Sequence, residues 1–398
     1  MATHSEDSVL MASVAARVEN ELLLLCARTN ASEESAGRIR TLAAGELSWD
    51  YLFLLAQRHA VLPLLHRQLN ANAGELLPLD FRKKLGAKFR ENATRNILLA
   101  GELMRIVKLF ETNGISTLAY KGPALAVSAY GDISLRRFID LDIIVRKGEV
   151  RRACELLCTL GFRLTGDMSQ SHEKILLRTQ HNMAFTRDGG KLIVEIHWEV
   201  APQHFADVPI GERVWERAVT VVLNGGDVKS LSPEDLLLAL CVHGTKHLWE
   251  RLAWICDVAE LVNSQPELDW LYILRQAQDS HVERMLHLGL RLASGLLAAP
   301  LPENVRRQTL ADEAVARLYL TVVARLFDDS EYEPAGLLES ITFNLRARRR
   351  LHEKLQYLRF IFKPTDGDLT ALPLPASLTF VYYLLRPVRL LRKGTAGH

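Results

Sequence analysis

The sequence has few of the features that mark disulfide-rich, redox-active or membrane-spanning proteins. Its 398 residues include only five cysteines, which are scattered and form no CxxC pair. This excludes a disulfide scaffold and argues against structural zinc or a redox dithiol. No window reaches the ~18 uninterrupted apolar residues of a membrane-spanning helix. The first residues carry acids where a secretory signal peptide has a basic segment. We therefore predict a cytoplasmic protein.

A strong overall charge is also missing, since 49 basic residues face 47 acidic ones, so the whole chain has no electrostatic preference for nucleic acid. The bias is local: residues 341–398 hold eleven Lys/Arg and three Asp/Glu, and several aromatic side chains. The arginine run at 346–350 is expected on a solvated helix face. Three interpretations of this segment stay open: peripheral contact with an anionic membrane, contact with RNA, or a cap over the protein's own cleft, with 378–385 packed on its own helices.

What is present is the composition of an ordinary globular chain, with 48% apolar and 24% charged residues. Hydrophobic periodicity changes twice along the chain and predicts an α+β fold, a small mixed-sheet core flanked by helical N-terminal and C-terminal segments. The predicted parts are a helical segment at 1–112, an α/β core at 113–222, a helical domain at 223–360 and a proline-containing basic and aromatic tail at 361–398.

Four strands are predicted within the core, from β-rich composition, alternation and turn residues. They cover residues 115–120, 138–145, 181–186 and 191–200. The Asp188–Gly189–Gly190 turn predicts a hairpin between the last two. After residue 222 the sequence predicts helices, the first of which begins with Ser232 as its N-cap and Pro233 at its first position.

Asp140 and Asp142 alternate along the second predicted strand, so both side chains leave the same face. Two carboxylates so close repel each other, and a divalent cation relieves the repulsion. The alternative is that the two acids lie at the solvated end of the strand, or pair with Arg136 and Arg137. If the strand containing Glu195 is a neighbour in the sheet, the three carboxylates can hold two metal ions for phosphoryl transfer.

Other residues around this strand suit a phosphorylated substrate. Lys121 and Gly122 follow the first strand, where backbone N–H groups and a helix N-terminus can receive phosphate. Arg136, four residues before Asp140, can neutralise triphosphate charge. His197 shares a strand face with Glu195 and is a candidate contact, with packing beneath a neighbouring side chain as the alternative.

The order of these features resembles the DNA polymerase beta-type nucleotidyltransferase superfamily. More narrowly, three segments resemble the bacterial "uncharacterised nucleotidyltransferase" family, and the likeness covers roughly residues 100–270 and the last thirty. The segments are LAYKGPALAVSAYGDISLRRFIDLDIIV, VEIHWEV and SPEDLLLALCVHGTKHLWERLAWICDVAELV.

The resemblance implies transfer of an NMP group from an NTP to an unidentified acceptor: a small molecule, a lipid-linked glycan, a protein or RNA. The resemblance implies that the catalytic ligands of Mg²⁺ or Mn²⁺ are Asp140, Asp142 and Glu195. It also implies that the triphosphate contacts are Lys121, Gly122 and Arg136. Pro123 stands where the superfamily usually has Ser, and Glu195 stands where Asp is commoner. These departures favour the alternative of a catalytically weak nucleotide- or partner-binding protein.

His243 and His247 are spaced to hold zinc on one helix face. They also fall on an apolar stripe, which favours packed histidines over a zinc hydrolase. The resemblance implies instead that His243, Lys246 and His247 approach the substrate from the helical domain.

Overall fold

The computed structural model describes residues 17–361 except 166–179, 204, 207, 209, 224 and 329–334. The predictions about the tail from residue 362 onward, including its membrane and RNA interpretations, lie outside the described residues. The described chain is a mixed α/β structure in which a seven-stranded sheet is flanked by helices from both ends of the sequence. The predicted fold class is confirmed.

Helices make up most of residues 17–112, the described part of the predicted N-terminal helical segment. Ser32 and Ser48 cap two of them by accepting a hydrogen bond from the backbone N–H three residues later. The helices are α1 (Val18–Cys26), α2 (Glu33–Ala43), α3 (Trp49–Arg58), α4 (Leu62–Ala73) and α5 (Leu79–Thr112). The last part of α5 buries Leu99, Leu103 and Phe110 in the same apolar core as the sheet, so it fixes the sheet against the N-terminal helices.

The sheet is mixed, with strand order β3-β4-β5-β2-β1-β7-β6. Its strands are β1 (Thr117–Tyr120), β2 (Leu141–Val145), β3 (Arg163–Leu164), β4 (Asn182–Arg187), β5 (Leu192–His197), β6 (Val219–Leu223) and β7 (Gly226–Ser230). β2 runs antiparallel to β1 and parallel to β5, and β4 and β5 form the predicted hairpin. Within the described part of the chain, the helices that connect strands are α6 (Gly122–Tyr130), α7 (Val150–Thr159) and α8 (Glu212–Glu216).

The structure differs from the sequence-based expectation at several places in the sheet. β3 and β6 are additional to the four predicted strands, and two further differences concern Asp140 and β7. β2 begins at Leu141, so Asp140 precedes the strand instead of lying within it. Helices are expected after residue 222, but residues 226–230 form β7, which pairs with β6 and β1. The β6–β7 hairpin therefore spans the boundary that we predict at residue 222. The segment GDVKS has one apolar residue, so its strand conformation depends on pairing and leaves no local signal.

Helices return after β7 and continue to residue 361. They are α9 (Pro233–Lys246), α10 (Leu252–Ser264), α11 (Trp270–Asp279), α12 (Glu283–Leu297), α13 (Glu303–Ala311), α14 (Glu313–Leu326), α15 (Leu337–Arg346) and α16 (Leu351–Ile361). Ser232 caps α9 as predicted, accepting a hydrogen bond from the backbone N–H of Asp235. Within the described residues, no helix is both long and apolar enough to cross a membrane.

One member of the basic run is buried, contrary to the expectation of a solvated face. Arg348 is 2% exposed, follows the end of α15, and stacks on the rings of Phe205 and Tyr357. Its guanidinium donates to the carbonyl oxygens of Phe205 and Asn344 at 2.7 and 2.6 Å. Burial lowers the pKa of Arg348 to about 10. This arginine therefore fastens α15 and α16 to the segment between β5 and α8, because its planar guanidinium can both stack and donate.

Candidate active site

Asp142 of β2 and Glu195 of β5 are directly opposite each other in the parallel pair. The predicted adjacency of the two strands is thereby confirmed. Since opposite residues in a sheet share a face, both carboxylates leave the same side. Asp142 is 6% exposed, whereas Glu195 is only partly buried and opens onto a cleft.

His197 lies between the two carboxylates. Its Nε2 is 2.9 Å from Asp142 Oδ1 and 3.1 Å from Glu195 Oε2. The ligand atoms of Asp142, Glu195 and His197, which we term the carboxylate–histidine cluster, all lie within 4.8 Å of one another. It is the one group of three metal-ligating side chains so placed within the described part of the chain.

The cluster's hydrogen bonds favour its charged forms. Burial opposes the charge on His197, but bonds to Asp142 and Glu195 outweigh it and raise the pKa of His197. Burial would likewise raise the pKa of Asp142, yet Lys121 and the His197 bond lower that pKa to about 2. The His197 bond also lowers the pKa of Glu195, despite opposing desolvation. The carboxylates are therefore ionised at neutral pH.

Asp140 lies on the same cleft but is not part of the cluster. Burial, followed by the charges of Asp142 and Glu195, raises the pKa of Asp140 to about 6. Of the three carboxylates that we predict to converge, Asp142 and Glu195 therefore contact one histidine, whereas Asp140 lies on the same cleft outside that group.

Lys121 and Gly122 form the turn between β1 and α6. Lys121 has φ 55° and ψ −136°, a conformation that L-residues rarely adopt, and Gly122 has φ 44°. The turn holds the lysine at 9% exposure, with its Nζ 3.1 Å from His243 Nδ1. Burial lowers the pKa of Lys121, but Tyr120, Asp142 and Asp140 outweigh it and raise the pKa. Its charge therefore faces the carboxylates.

Lys246 is a second lysine held by a histidine. Its Nζ lies 3.2 Å from Nε2 of His181, a residue that sequence reasoning missed. Burial and the charge of Lys121 lower the pKa of Lys246. The two ammonium groups thus repel each other beside the cluster, which is the electrostatic signature of a site for a polyanion.

His243 and His247 lie side by side, with ring centroids 4.6 Å apart, on a wall that also includes Trp254. Burial and nearby lysines lower the pKa of His247 to about 4, and the same causes hold the pKa of His243 well below its usual value. Neither joins two further metal-ligating side chains among the described residues. The zinc alternative therefore finds no support there.

Arg136 is bound to Asp257 of α10, another residue that sequence reasoning missed. Arg136 Nε and Nη2 donate to the two carboxylate oxygens of Asp257 at 2.7 and 2.8 Å. The Tyr130 hydroxyl donates to the same carboxylate at 2.6 Å. We term these three residues the Arg136–Asp257 joint. The third guanidinium nitrogen of Arg136, Nη1, is buried without a hydrogen-bond partner among the described residues. Contact of Arg136 with a triphosphate, which stays a prediction, would require this nitrogen to become accessible.

The segment between α6 and β2 is also fastened from the other side. The Asn96 amide donates to the carbonyl oxygens of Ile133 and Arg136 at 2.6 and 2.7 Å, and Asn92 donates to Ser134 at 2.9 Å. The chain that leads into Asp140 and Asp142 is therefore held by α5 on one side and α10 on the other. Such fixation preorganises a binding site.

These side chains surround a cleft of about 930 Å³. All ten sequence-predicted site residues lie in it or at its edge: nine line it, and Gly122 adjoins it through the Lys121 turn. The lining residues that sequence reasoning did not assign to a site include Arg58, Arg137, His181, Asn182, Arg251 and Trp254. Asn182 had a usable signal, since hairpin register places it opposite His197.

The donor set fits a divalent cation. Asp142 and Glu195 supply oxygen ligands, and Asp140 adds a third carboxyl group on the same cleft. His197 Nε2 contacts two carboxylate oxygens, which can only accept hydrogen bonds, so Nε2 carries a proton and donates to them. Asp142 and Glu195 would therefore hold the metal, with Asp140 beside them and His197 orienting the two carboxylates.

Residues 45–298 match the family described as "Uncharacterised nucleotidyltransferase", and since this is more than half of the chain, the protein belongs to that family. No curated protein matches the sequence.

Solved structures give weaker likenesses. An antigenic nucleotidyltransferase-like protein from Paracoccidioides brasiliensis is 17% identical, with 52% of this chain and 96% of that chain covered and a TM-score of 0.31. The antibiotic-resistance factor ANT(2'')-Ia is 16% identical, with 55% and 96% covered and a TM-score of 0.27. At these TM-scores, neither carries an argument about substrate.

Proposed function

We propose that the protein transfers a nucleotidyl group from an NTP to an acceptor, with Mg²⁺ or Mn²⁺ as the metal, on a fold of the DNA polymerase beta-type superfamily. The observation that carries the proposal is the pairing of Asp142 with Glu195 across two parallel strands, beside the strained Lys121 turn. Family membership supports the same chemistry.

The proposed reaction assigns a task to each part of the cleft. An acceptor oxygen forms a bond to the α-phosphorus while the bond from that phosphorus to the α–β bridging oxygen breaks, releasing pyrophosphate and, from a hydroxyl, a proton. Glu195 orients the acceptor or accepts that proton, and Lys121 and Lys246 meet the triphosphate charge. The chemistry that a divalent cation supplies here is neutralisation of the carboxylates and of charge on the transferred phosphoryl group.

The test uses α-labelled NTPs, Mg²⁺ or Mn²⁺ and cell extract as the source of acceptor. Wild-type protein is expected to give a labelled product that Asp140→Asn/Asp142→Asn does not form. Asp227→Asn is the matched control, because Asp227 is exposed on β7 and outside the cleft. Equal labelling by wild type and the double variant would exclude this site as the catalyst.

The alternative, a catalytically weak nucleotide-binding protein, is favoured by two observations. Pro123 occupies the helix start where a serine would contact triphosphate, and Arg136 is already bound by Asp257. The same assay separates the alternatives: tight NTP binding without labelled product under either metal would support the binding protein.

A further inference from the structure

The four arginines that line the cleft fall into two pairs with different partners. Arg136 is held by Asp257, and Arg58 donates to the carbonyl oxygens of Arg325 and Asp328. In both arginines, guanidinium N–H donors are already bonded to protein oxygens. These two arginines therefore stabilise the fold.

Arg137 and Arg251 are the other pair. Both are exposed at the cleft, and neither makes an ion pair or a side-chain hydrogen bond with any described residue. Burial, then the charges of Arg251 and Arg95, lower the pKa of Arg137. Two exposed guanidinium groups thus line one cleft without an ion pair to a described carboxylate, an arrangement that an anion would stabilise.

The surroundings of this pair differ from those of the two lysines. Lys121 is buried beside the carboxylate–histidine cluster, whereas Arg137 and Arg251 are exposed. The cleft also exposes 60% of Leu54 and 41% of Ile139. The Arg251 guanidinium lies 5.7 Å from the ring centroid of Trp254. Cations, an aromatic ring and apolar side chains therefore meet at the open side of the cleft.

We propose that Arg137 and Arg251 form a second anion site that binds a phosphate group of the acceptor. The inference rests on the proposed function, since nucleotidyl transfer needs a second substrate opposite the leaving pyrophosphate. The two lysines beside the cluster meet the triphosphate, and the exposed arginines meet the acceptor. Guanidinium groups suit this task because their paired N–H donors match phosphate oxygens.

The experiment measures the two sites separately by calorimetry on the full chain. The first arm titrates a non-hydrolysable α,β-methylene NTP with Mg²⁺. The second arm titrates glucose 1-phosphate, glucose or inorganic phosphate into protein saturated with that analogue. Wild type is expected to bind glucose 1-phosphate and inorganic phosphate, but not glucose. The Arg137→Gln/Arg251→Gln variant is expected to bind both phosphate probes at least tenfold more weakly. Its affinity for the NTP analogue should stay within twofold of wild type.

Arg82→Gln/Arg105→Gln is the matched control, because both arginines are exposed on α5 and outside the cleft. A parallel loss of analogue affinity in the Arg137/Arg251 variant would place these arginines in the triphosphate site and overturn the inference. Absence of phosphate binding by wild type, or equal binding by the variant, would overturn it too. Failure of the proposed function is distinct, because it would appear in the first arm as wild type that does not bind the analogue.

Discussion

The carboxylate–histidine cluster and the Arg136–Asp257 joint are both buried beside one cleft, and they differ in charge balance. Asp142 and Asp257 are 6% and 2% exposed. In the joint, one carboxylate meets one guanidinium and one hydroxyl. In the cluster, two carboxylates share one imidazole, with Asp140 nearby. The difference teaches that one carboxylate and one guanidinium balance each other in the joint, whereas the cluster places two carboxylates on one imidazole and can therefore take a cation.

The largest expected effect comes from breaking the joint. Asp257→Ala leaves Arg136 buried without its partner, and we expect the free energy of unfolding to fall by about 3–5 kcal/mol. Urea denaturation measures the loss. Arg136→Met/Asp257→Leu removes both charges and should recover much of it, since no buried charge is left unpaired.

Glu313→Ala is the control for this comparison. Glu313 pairs with Arg317 at 3.0 Å on the surface, and both side chains are mostly exposed, so its removal should cost less than about 1 kcal/mol. If Asp257→Ala were as mild as Glu313→Ala, the joint would not have the structural role inferred from its geometry.

Asp140→Asn should change stability in the opposite direction. The pKa of Asp140 is about 6 in the fold against an ordinary 3.8, so its contribution to stability is fully present below pH 3.8 and is lost as pH rises to 6. In a chelator at pH 8, the Asn variant should therefore be more stable than wild type, by up to about 3 kcal/mol. The gain should vanish below pH 3.8. A less stable variant at pH 8 would show that Asp140 has a compensating partner.

Divalent cation should stabilise wild type and not the cluster variants. At ten times its dissociation constant, a ligand specific to the folded state adds about 1.4 kcal/mol. We expect Mg²⁺ or Mn²⁺ to raise the melting temperature of wild type, and to have no such effect on Asp142→Asn/Glu195→Gln. An equal shift in both proteins would place the cation elsewhere.

The smallest expected effect concerns the Lys121 turn. Lys121→Gly and Lys121→Met both remove the ammonium group, but only glycine relaxes the positive φ. The glycine variant should be more stable than the methionine variant by about 1 kcal/mol. Thermal denaturation of the pair measures this difference. Equal stability would mean that the turn is not strained.

The parts that the sequence predicts well are those with strong local signals. The Ser232 cap and the Asp188–Gly190 turn each depend on residues within one turn of chain, and both appear as expected. The pairing of β2 with β5 is non-local, but the acids on both predicted strands already suggest it.

The parts that escape prediction depend on contacts between distant segments. β7 becomes a strand through its neighbours, and Arg348 is buried by rings more than one helix away. Asp257 looks like one more helical acid until Arg136, 121 residues earlier, is placed against it. Neither hydrophobic period nor composition carries such information.

The sheet order has a consequence for how the protein folds. The β4–β5 and β6–β7 hairpins are local, but β2 meets β5 across 55 residues and β1 meets β7 across 111. Closing long loops is slow, because their entropy is lost before the contacts form. A chain with all its hairpins and helices in place would still lack a carboxylate–histidine cluster. During refolding, the onset of divalent cation binding should therefore mark the moment when the two halves of the sheet join.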